Sequence, residues 1–526
     1  MKKNLLAKVL CFVLAMFMLL ACLAACGEPA PQQNQNGNGD GNTEGGNTDG
    51  DGNTEELTGE EAEFLPAAKD YANREFRIHA GVHQAWGLVH YDYLDGLEDS
   101  NGKAVNDALY ERTLLLEGLF NVILTLDTSR DDGTLLTHLN NQHKGEKDWA
   151  DQLFFTGQNS MTAAKKGQLT NLLTLDALNL EASYYDQRIQ QDYRIKDMLF
   201  QLTGDFDTTD ELVTFGVLYN DSIYEDAMYY ETEGTPYQMV ESYKWTYNKM
   251  LTLAAPLVAN EDNQFDVNDH VGIASESQAG YYFFLGSGLR PMSNNKGELK
   301  INLEDGTYYA SVNDVLAAVS SVVTDSSFCI PSRDFASNDE YKTQEAQANK
   351  EMFIGDRALF RTSSLSTTLN GMPDMKSDFG ILPIPMYQES QKAYYCSLND
   401  VANRPLMIPY HVNNKQEVGE ITEILSYYSR YGGDESLYES FFERLTIAKI
   451  CRKEEDRKML ELIFSNKVYD VDRVLDLIGM HGKVTSYVGT GCTSDIDSTL
   501  NGALTSAKTT LKTYLMQFDM ANQNNH

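Results

Sequence analysis

The sequence predicts an α/β fold with a parallel sheet and more than one domain. Residues 75–80, 121–126 and 149–155 read as strands, and helical spacing of apolar residues over 105–120 and 135–142 separates them. Alternation of strands with helices is typical of a parallel sheet with helical crossovers. About 460 residues follow the N-terminal segment, which is too many for one ordinary hydrophobic core.

The rest of the chain continues this mixture. Further strands are predicted at 212–219, 271–274, 353–362, 379–383 and 406–409, and further helices at 243–257, 312–323, 418–431, 437–451, 454–465 and 500–517. Ligands of parallel sheets bind at the carboxyl ends of the strands. The loops 81–86 and 156–160, which follow the first and third strands, are therefore the expected places for ligand contacts.

The first 63 residues predict an export signal and a tether. A basic start precedes an apolar run over 9–23, which ends in Leu23-Ala24-Ala25-Cys26. This is the pattern of a secretory signal peptide over 1–25, and its ending resembles a bacterial lipobox in which Cys26 is lipidated. Residues 26–63 are mostly Gly, Asn, Gln, Thr, Pro and acidic residues, so we expect a disordered tether. The alternative, a transmembrane anchor, fits the small residues before Cys26 less well.

Charge and cysteine content exclude several classes of protein. The formal net charge is −35, so nucleic acid and anionic phosphate surfaces would be repelled. Four cysteines remain after the signal and Cys26, and they are Cys329, Cys396, Cys451 and Cys492. No two have the spacing of a metal or redox site. An extracellular location permits disulfides, but the sequence leaves their pairing open.

Short motifs follow one another along the body in a defined order. They are NGKAVNDALYER at 101–112, YYDQ at 184–187, GD at 204–205, KWT at 244–246, GDRALF at 355–360, DFGILPIP at 378–385 and IFSNKVYD at 463–470. In this order and spacing they resemble the family 1 extracellular solute-binding proteins of bacterial ABC importers, which are related to maltose- and oligosaccharide-binding proteins. Within that family they resemble a clostridial lipoprotein group.

The resemblance implies a fold and a function. It implies a two-lobed, periplasmic-binding-protein-like α/β fold of type II, with crossovers near 210–214, 394–405 and 446–451. Lobe one would comprise 64–210 and 405–447, and lobe two 215–393 and 450–526. Hinge bending would close the lobes on a solute held in the cleft between them. The resemblance further implies an ABC permease as partner, no cofactor, a monomer, and a location on the extracellular face of the cytoplasmic membrane.

Sugar sites need aromatic faces and planar polar groups. Residues of these types fall where relatives contact solute, after strands and beside crossovers, and they are His83, Trp86, Gln158, Asp205, Asp207, Tyr281, Tyr282, Arg361, Tyr394, Tyr395 and Asn399. For each, a structural role in a core, a turn or an ion pair is the alternative. Only three tryptophans lie in the body, which is few for a binder of long sugars, so a peptide or polar metabolite stays open as the solute.

Two other site classes are weighed against the sequence. Asn260, Asp262, Asp266 and Asp269 resemble part of a calcium loop, but Asn263 replaces its sharp-turn glycine, so we expect no bound metal. The chain has no G-x-S-x-G, HExxH or P-loop motif, so we do not expect this protein to be an enzyme. A surface glycoside hydrolase is the alternative from another class, and an adhesin without a small-molecule ligand is a third.

Overall fold

Two four-stranded sheets, each with its own helices, organise the protein. The computed structural model describes residues 57, 59–81, 104–142, 149–259, 266–331, 334, 345–372 and 375–525. Its strands are β1 (Arg74–Ala80), β2 (Val122–Asp127), β3 (Gln152–Phe154), β4 (Phe215–Asn220), β5 (Val271–Ala274), β6 (Met292–Asn295), β7 (Glu298–Ile301), β8 (Ala358–Ser364), β9 (Phe379–Leu382), β10 (Cys396–Ser397), β11 (Leu406–Met407) and β12 (Lys467–Val468).

Helices connect and cover these strands. They are α1 (Gly59–Glu63), α2 (Ala104–Phe120), α3 (Asp132–Gln142), α4 (Gly157–Ala164), α5 (Gln187–Asp192), α6 (Thr209–Leu212), α7 (Asp221–Asp226), α8 (Tyr229–Thr232), α9 (Pro236–Glu241), α10 (Tyr247–Ala254), α11 (Ala279–Gly286), α12 (Gly306–Val323), α13 (Glu345–Ile354), α14 (Leu365–Gly371), α15 (Lys415–Tyr431), α16 (Leu437–Glu439), α17 (Ala448–Ile450), α18 (Glu454–Ser465), α19 (Val471–Leu475), α20 (Met480–Gly489) and α21 (Ile496–Asn525). A π-helical stretch, Ser440–Ile447, joins α16 to α17.

The first sheet has the strand order β11-β3-β1-β2. β1 runs parallel to both β2 and β3, with Ile78 opposite Leu126 on one side and Gln152 on the other. β11 pairs with β3 in the antiparallel sense, at the edge. The parallel core confirms the strand–helix alternation predicted from residues 75–155.

The second sheet has the order β5-β8-β4-β9. β4 enters it antiparallel to both neighbours, and β5 runs parallel to β8. The chain passes from the first sheet to the second before β4, returns before β11, and leaves again after α15 to pack α18 against β9. These passages give the two-lobed α/β fold that the sequence predicts. The predicted lobe limits stay a prediction.

The helix α21 contacts both halves of the molecule. Near its start, Asp497 Oδ1 accepts a hydrogen bond of 2.8 Å from Asn313 on α12, beside the second sheet. Near its end, Phe518 is fully buried and stacks on Phe200, with ring centroids 6.1 Å apart. Residues around Phe200 belong to the first half, because Leu202 bridges to Leu406 of β11. α21 is therefore a brace between the halves.

A hairpin makes a second connection between the halves. Asn294 Nδ2 on β6 donates to the carbonyl oxygen of Asp192 at 2.9 Å. Gly297, in the turn before β7, has φ +94°, and a Cβ there would lie 2.2 Å from the carbonyl oxygen of Lys196. The turn thus needs glycine both for its backbone angle and for this close approach.

Some predicted elements differ from the structure. The strand predicted at 353–362 is wrong at its start, because α13 continues to Ile354 and Asp356 takes φ +56° in a turn before β8. α11 was not predicted as a helix: all eight of its residues are buried, so it lacks the polar face that produces helical periodicity. α1 lies within the segment assigned to the tether, and its Glu60 accepts a hydrogen bond from the backbone N–H of Ser183.

Among residues the structure describes, no helix combines the length and hydrophobicity needed to cross a membrane. The predicted signal peptide and Cys26 lie outside these residues. The four body cysteines form no disulfide: Cys329 and Cys396 are buried, while Cys451 and Cys492 are half-buried.

Candidate ligand site at the crossovers

The carboxyl ends of β1 and β3 lie side by side, and the carboxylate of Asp132 lies close to the residues that follow both strands. Asp132 Oδ2 accepts a hydrogen bond of 3.3 Å from the backbone N–H of Thr156 after β3. A Cβ on Gly81, after β1, would lie 1.9 Å from Asp132 Oδ1, so the Asp132 carboxylate approaches the backbone closely there. Arg404 Nη2 lies 3.8 Å from the same oxygen. The loop after Gly81, with the predicted contacts His83 and Trp86, lies outside the described residues.

The start of α4 faces the C-terminal part of the chain. Gln158, a predicted contact, is exposed in its first turn. A Cβ on Gly157 would lie 2.8 Å from Cγ1 of Val474, so α19 packs directly against this helix start. The first turn of α4 therefore lies against Val474, the residue that follows Arg473 on α19.

Tyr281 and Tyr282 lie on α11, and both are buried. The hydroxyl of Tyr281 donates to the carboxylate of Asp470. The ring of Tyr282 stacks on Phe215 with centroids 3.9 Å apart and planes 23° apart. Phe215 begins β4 and is half-buried, so its ring, rather than the buried ring of Tyr282, is the accessible part of this pair.

Arg361 lies on β8 opposite Ala274, the last residue of β5. Its side chain is only 2% exposed, yet Nε and Nη1 have no hydrogen-bond partner. The nearest carboxylate is that of Glu276, with 3.9 Å between Nη2 and Oε1. Burial lowers the pKa of the Arg361 guanidinium and raises the pKa of Glu276. Arg361 is thus a buried cation with unused donors.

The second passage of the chain supplies Asn399 and Asp400. The backbone N–H of Asn399 donates to the carbonyl oxygen of Val213 at 3.0 Å, which ties two passages together. Asp400 Oδ1 accepts a hydrogen bond of 2.7 Å from the hydroxyl of Tyr193. Burial raises the pKa of Asp400 to about 7, and the charge of Asp470 adds to the effect.

Two further acidic groups and one arginine complete the surroundings. Asp472 accepts backbone hydrogen bonds from Ile478 at 2.7 Å and Met480 at 2.9 Å. Burial first, and then the charge of Asp470, raise the pKa of Asp472 to about 7. Arg473 follows directly, is half-buried, and forms no ion pair with any described residue. The positive charge of Arg473 acts to lower the pKa of both Asp400 and Tyr282, so Arg473 belongs to the surroundings of both groups.

Four predicted contacts lie elsewhere. The Tyr394 hydroxyl donates to the carbonyl oxygen of Val240 at 3.0 Å, and the Tyr395 ring lies 5.0 Å from the guanidinium of Arg290. Asp205 pairs with Arg430 at 3.1 Å. Asp207 accepts from the hydroxyl of Thr209 at 2.8 Å. Tyr281, Tyr282, Arg361 and Asn399 are the predicted contacts that lie together, and all of these site assignments stay predictions.

Sequence reasoning missed Phe215, Asp400 and Arg473. Two of them had a usable signal, since Asp400 follows the predicted Asn399 and Arg473 lies three residues after the YD motif. Phe215 had none, because its role depends on a stacking partner 67 positions later, Tyr282.

The acidic segment at 260–269 is only partly described. Asn260, Asp262 and Asn263 lie outside the described residues. Asp269 Oδ2 accepts a hydrogen bond of 2.8 Å from the backbone N–H of Asp266. Within the described part of the chain, no group of three or more His, Cys, Asp or Glu residues is arranged to hold a metal.

Comparison with known proteins identifies the fold. No family model matches the chain, and no curated protein matches it. Among solved structures, it is similar to a cyclo/maltodextrin-binding protein complexed with maltotetraose, at 13% identity and a TM-score of 0.53, over 84% of this chain and 97% of that one. It is also similar to the maltose-binding periplasmic protein MalE of Listeria monocytogenes in complex with maltose, at 11% identity and a TM-score of 0.52, over 84% and 98% of the two chains.

A third similar structure is a family 1 extracellular solute-binding protein from Bifidobacterium longum subsp. infantis. It shares 13% identity and a TM-score of 0.50, over 84% of this chain and 100% of that one. At these identities the likeness concerns the fold, and it confirms the two-lobed α/β architecture that the resemblance implied.

Proposed function

We propose that this chain, which has the two-lobed fold of the maltodextrin-binding and family 1 solute-binding proteins, is the solute-binding component of an ABC importer. It would capture a carbohydrate between its lobes and deliver it to a membrane permease. The observation that carries the proposal is a match of the whole two-lobed body, which covers 97–100% of the maltodextrin-binding, maltose-binding and family 1 solute-binding chains described above.

The residues at the crossovers support a sugar as solute. The Tyr282–Phe215 pair offers an aromatic face, on which the apolar side of a sugar ring stacks. Arg473, Glu276 and Asn399 supply planar donors and acceptors around it, which are suited to hydroxyl groups. Gln158, at the start of α4, would contact the solute from the other half.

Capture would proceed by closure of the halves around their crossovers. Binding energy at the shared surface favours the closed form, and a solute shifts the populations only as far as it binds that form better. No described group is needed to break or form a covalent bond in this process. The similar proteins are binding proteins, which supports a non-enzymatic role.

Thermal unfolding with a panel of solutes tests this proposal. The protein should begin at residue 57, so that α1 is kept, and the panel should hold mono- and oligosaccharides, peptides and polyols. A ligand of the folded state at one hundred times its dissociation constant adds about 2.7 kcal/mol to the free energy of unfolding. A higher unfolding temperature with one class of sugar, when that sugar is recovered unchanged, supports the proposal. Chemical turnover of the sugar contradicts it.

A solute that carries a carboxylate is the second candidate, and one observation favours it. The buried guanidinium of Arg361 has two N–H donors, Nε and Nη1, without a hydrogen-bond partner, and its charge favours a carboxylate. A shift with uronic acids or other acidic metabolites, and none with neutral sugars, would select this candidate. The importer proposal would stand in either case.

Lipid anchoring is the remaining part of the proposal. The Leu23-Ala24-Ala25-Cys26 ending supports attachment through Cys26 to the extracellular face of the cytoplasmic membrane. The segment up to α1 would then connect the lipid to the first half of the molecule.

A further inference from the structure

A cavity of about 220 Å³ lies beside the first passage of the chain, away from the Tyr282–Phe215 pair. One wall is the segment that contains Asp205 and Glu211 and leads into β4. The opposite wall is Tyr438, Phe441 and Phe442 of the helical stretch after α15, and Phe464 of α18 closes the side. Glu461 of α18 also lines the cavity, which is therefore surrounded by both carboxylates and aromatic rings.

Two rings of the aromatic wall already contact guanidinium groups of the protein, Tyr438 that of Arg430 and Phe442 that of Arg457. The rings of Tyr438 and Phe442 are stacked, with centroids 5.8 Å apart, and Phe464 meets Phe442 edge-on at 6.1 Å. The guanidinium of Arg430 lies 3.7 Å from the centroid of the Tyr438 ring. Phe441 and Phe442 lie in the π-helical stretch Ser440–Ile447, a rare geometry that is frequent at functional sites.

Three of the carboxylates that line the cavity are paired with cations of the protein, Asp205 with Arg430, Glu211 with Lys467 and Glu461 with Arg457. Lys467 Nζ forms ion pairs with three carboxylates. It lies 2.8 Å from Asp186 Oδ2 and 2.6 Å from Glu211 Oε1, and it also pairs with Asp210. Burial, and then the charge of Asp210, raise the pKa of Glu211 well above its ordinary value. Asp205 is paired with Arg430, yet burial still raises its pKa to about 7. A cationic group placed in the cavity would favour the ionised form of both carboxylates.

We propose that this cavity binds a small organic cation of the alkylammonium class. Aromatic rings beside carboxylates are the environment that recognises such groups, because the ring faces and the carboxylates attract the charge while the rings contact the alkyl carbons. The site is separate from the proposed solute site, and its occupant is not the transported solute.

Choline and its uncharged isostere, 3,3-dimethylbutan-1-ol, test the proposal. Calorimetric titration of the mature protein at fixed ionic strength should show one saturable choline site, with the isostere binding at least about 10-fold more weakly. Equal binding of the two probes would overturn the proposal, because it would show that the charge is not recognised. Absence of saturable choline binding at millimolar concentration would overturn it as well.

Two matched variants locate the site. Tyr438→Leu should weaken choline binding at least about 10-fold, because it removes a ring from the cavity wall. Tyr514→Leu removes a ring that also lies under a cation, with Lys165 Nζ 3.3 Å from its centroid, but outside the cavity, and it should bind choline unchanged. The proposal would be overturned if the two variants lost choline affinity equally. It would also be overturned if several equivalents of choline bound and sodium displaced them, because that is general attraction to an acidic protein. If Tyr438→Leu does not fold, the contrast between the two probes on the unaltered protein decides.

Discussion

Asp400 shows how a single buried group ties stability to pH. It is buried, accepts a hydrogen bond from Tyr193, and has a pKa raised to about 7 by burial. A folded-state pKa above the unfolded value means that the unfolded chain ionises first as pH rises. Asp400 therefore lowers the free energy of unfolding progressively between about pH 4 and pH 7.

Asp400→Asn should remove this pH dependence, since the amide oxygen still accepts from Tyr193 but cannot ionise. We expect the variant to match the unaltered protein at pH 4 and to exceed its free energy of unfolding by about 4 kcal/mol at pH 8, because a shift of about three pKa units corresponds to that difference. Urea unfolding at pH 4, 6 and 8 measures this difference. Asp434→Asn, at an exposed position, is the control and should show no trend. A gain that is equal at all three pH values would mean that ionisation of Asp400 is not the cause.

Arg473 offers a test that separates binding from stability. It is half-buried and makes no ion pair with described residues, so Arg473→Gln should change the free energy of unfolding by less than about 0.5 kcal/mol. The same change should weaken solute binding at least about 10-fold, because it removes a charged donor beside Tyr282. Calorimetric titration with the solute found in the panel measures this effect. Arg444→Gln, an exposed residue paired with Glu435, is the matched control. Unaltered affinity in Arg473→Gln would remove Arg473 from the site.

At this scale the sequence predicted residue types better than contacts. Aromatic and planar polar groups were expected beside strand ends, and Tyr282 does stack on Phe215 at the start of β4, whereas Arg361 lies within β8, opposite the last residue of β5. Tyr394 could not be distinguished from them, because its hydrogen bond to Val240 joins residues 154 positions apart. Such pairings depend on tertiary packing and leave no local pattern.

Among the elements, α21 has the clearest division between a packed and a free face. Phe518 is fully buried against Phe200, whereas Met520, two residues later, is 65% exposed. Phe518→Ala should lower the free energy of unfolding by about 3 kcal/mol, because it removes a ring and leaves a cavity. Met520→Ala should change it by less than about 0.5 kcal/mol. Denaturant unfolding of both variants measures these effects, and similar values for the two would contradict the described packing.

Helices and strands were predicted best where one face is apolar and the other polar. α15 and α18 have that pattern and were predicted to within a few residues. α11 and the end of α13 were missed for different reasons. α11 is buried on all sides, and α13 ends in a turn in which Asp356 has a positive φ that its residue type does not predict. Burial pattern, more than intrinsic propensity, set the limit of the prediction.

For the whole molecule, the brace and the hairpin predict a bias toward the closed form. Contacts such as Phe200–Phe518 and Asn294 with Asp192 would separate when the halves move apart. A chain that ends at residue 511 loses the first of these, so it should open more in the absence of solute. Small-angle X-ray scattering should then show a larger decrease in radius of gyration on adding solute than for the full chain. Equal decreases would show that α21 does not restrain the hinge.

The proposed anchor is tested by one substitution in the whole chain. Cys26→Ser removes the thiol that would take the lipid, so the protein should move from the membrane fraction to the medium or the soluble fraction. Cell fractionation and the mass of the N-terminal peptide measure this. Retention of Cys26→Ser in the membrane would favour an uncleaved hydrophobic anchor.

The brace formed by α21 also has a consequence for how fast the protein exchanges solute. A solute can enter only while the halves are apart, so the association rate scales with the fraction of time the molecule spends open. The same contacts delay escape once a solute is inside, which lengthens its residence time. Such a receptor would load and unload slowly on its own.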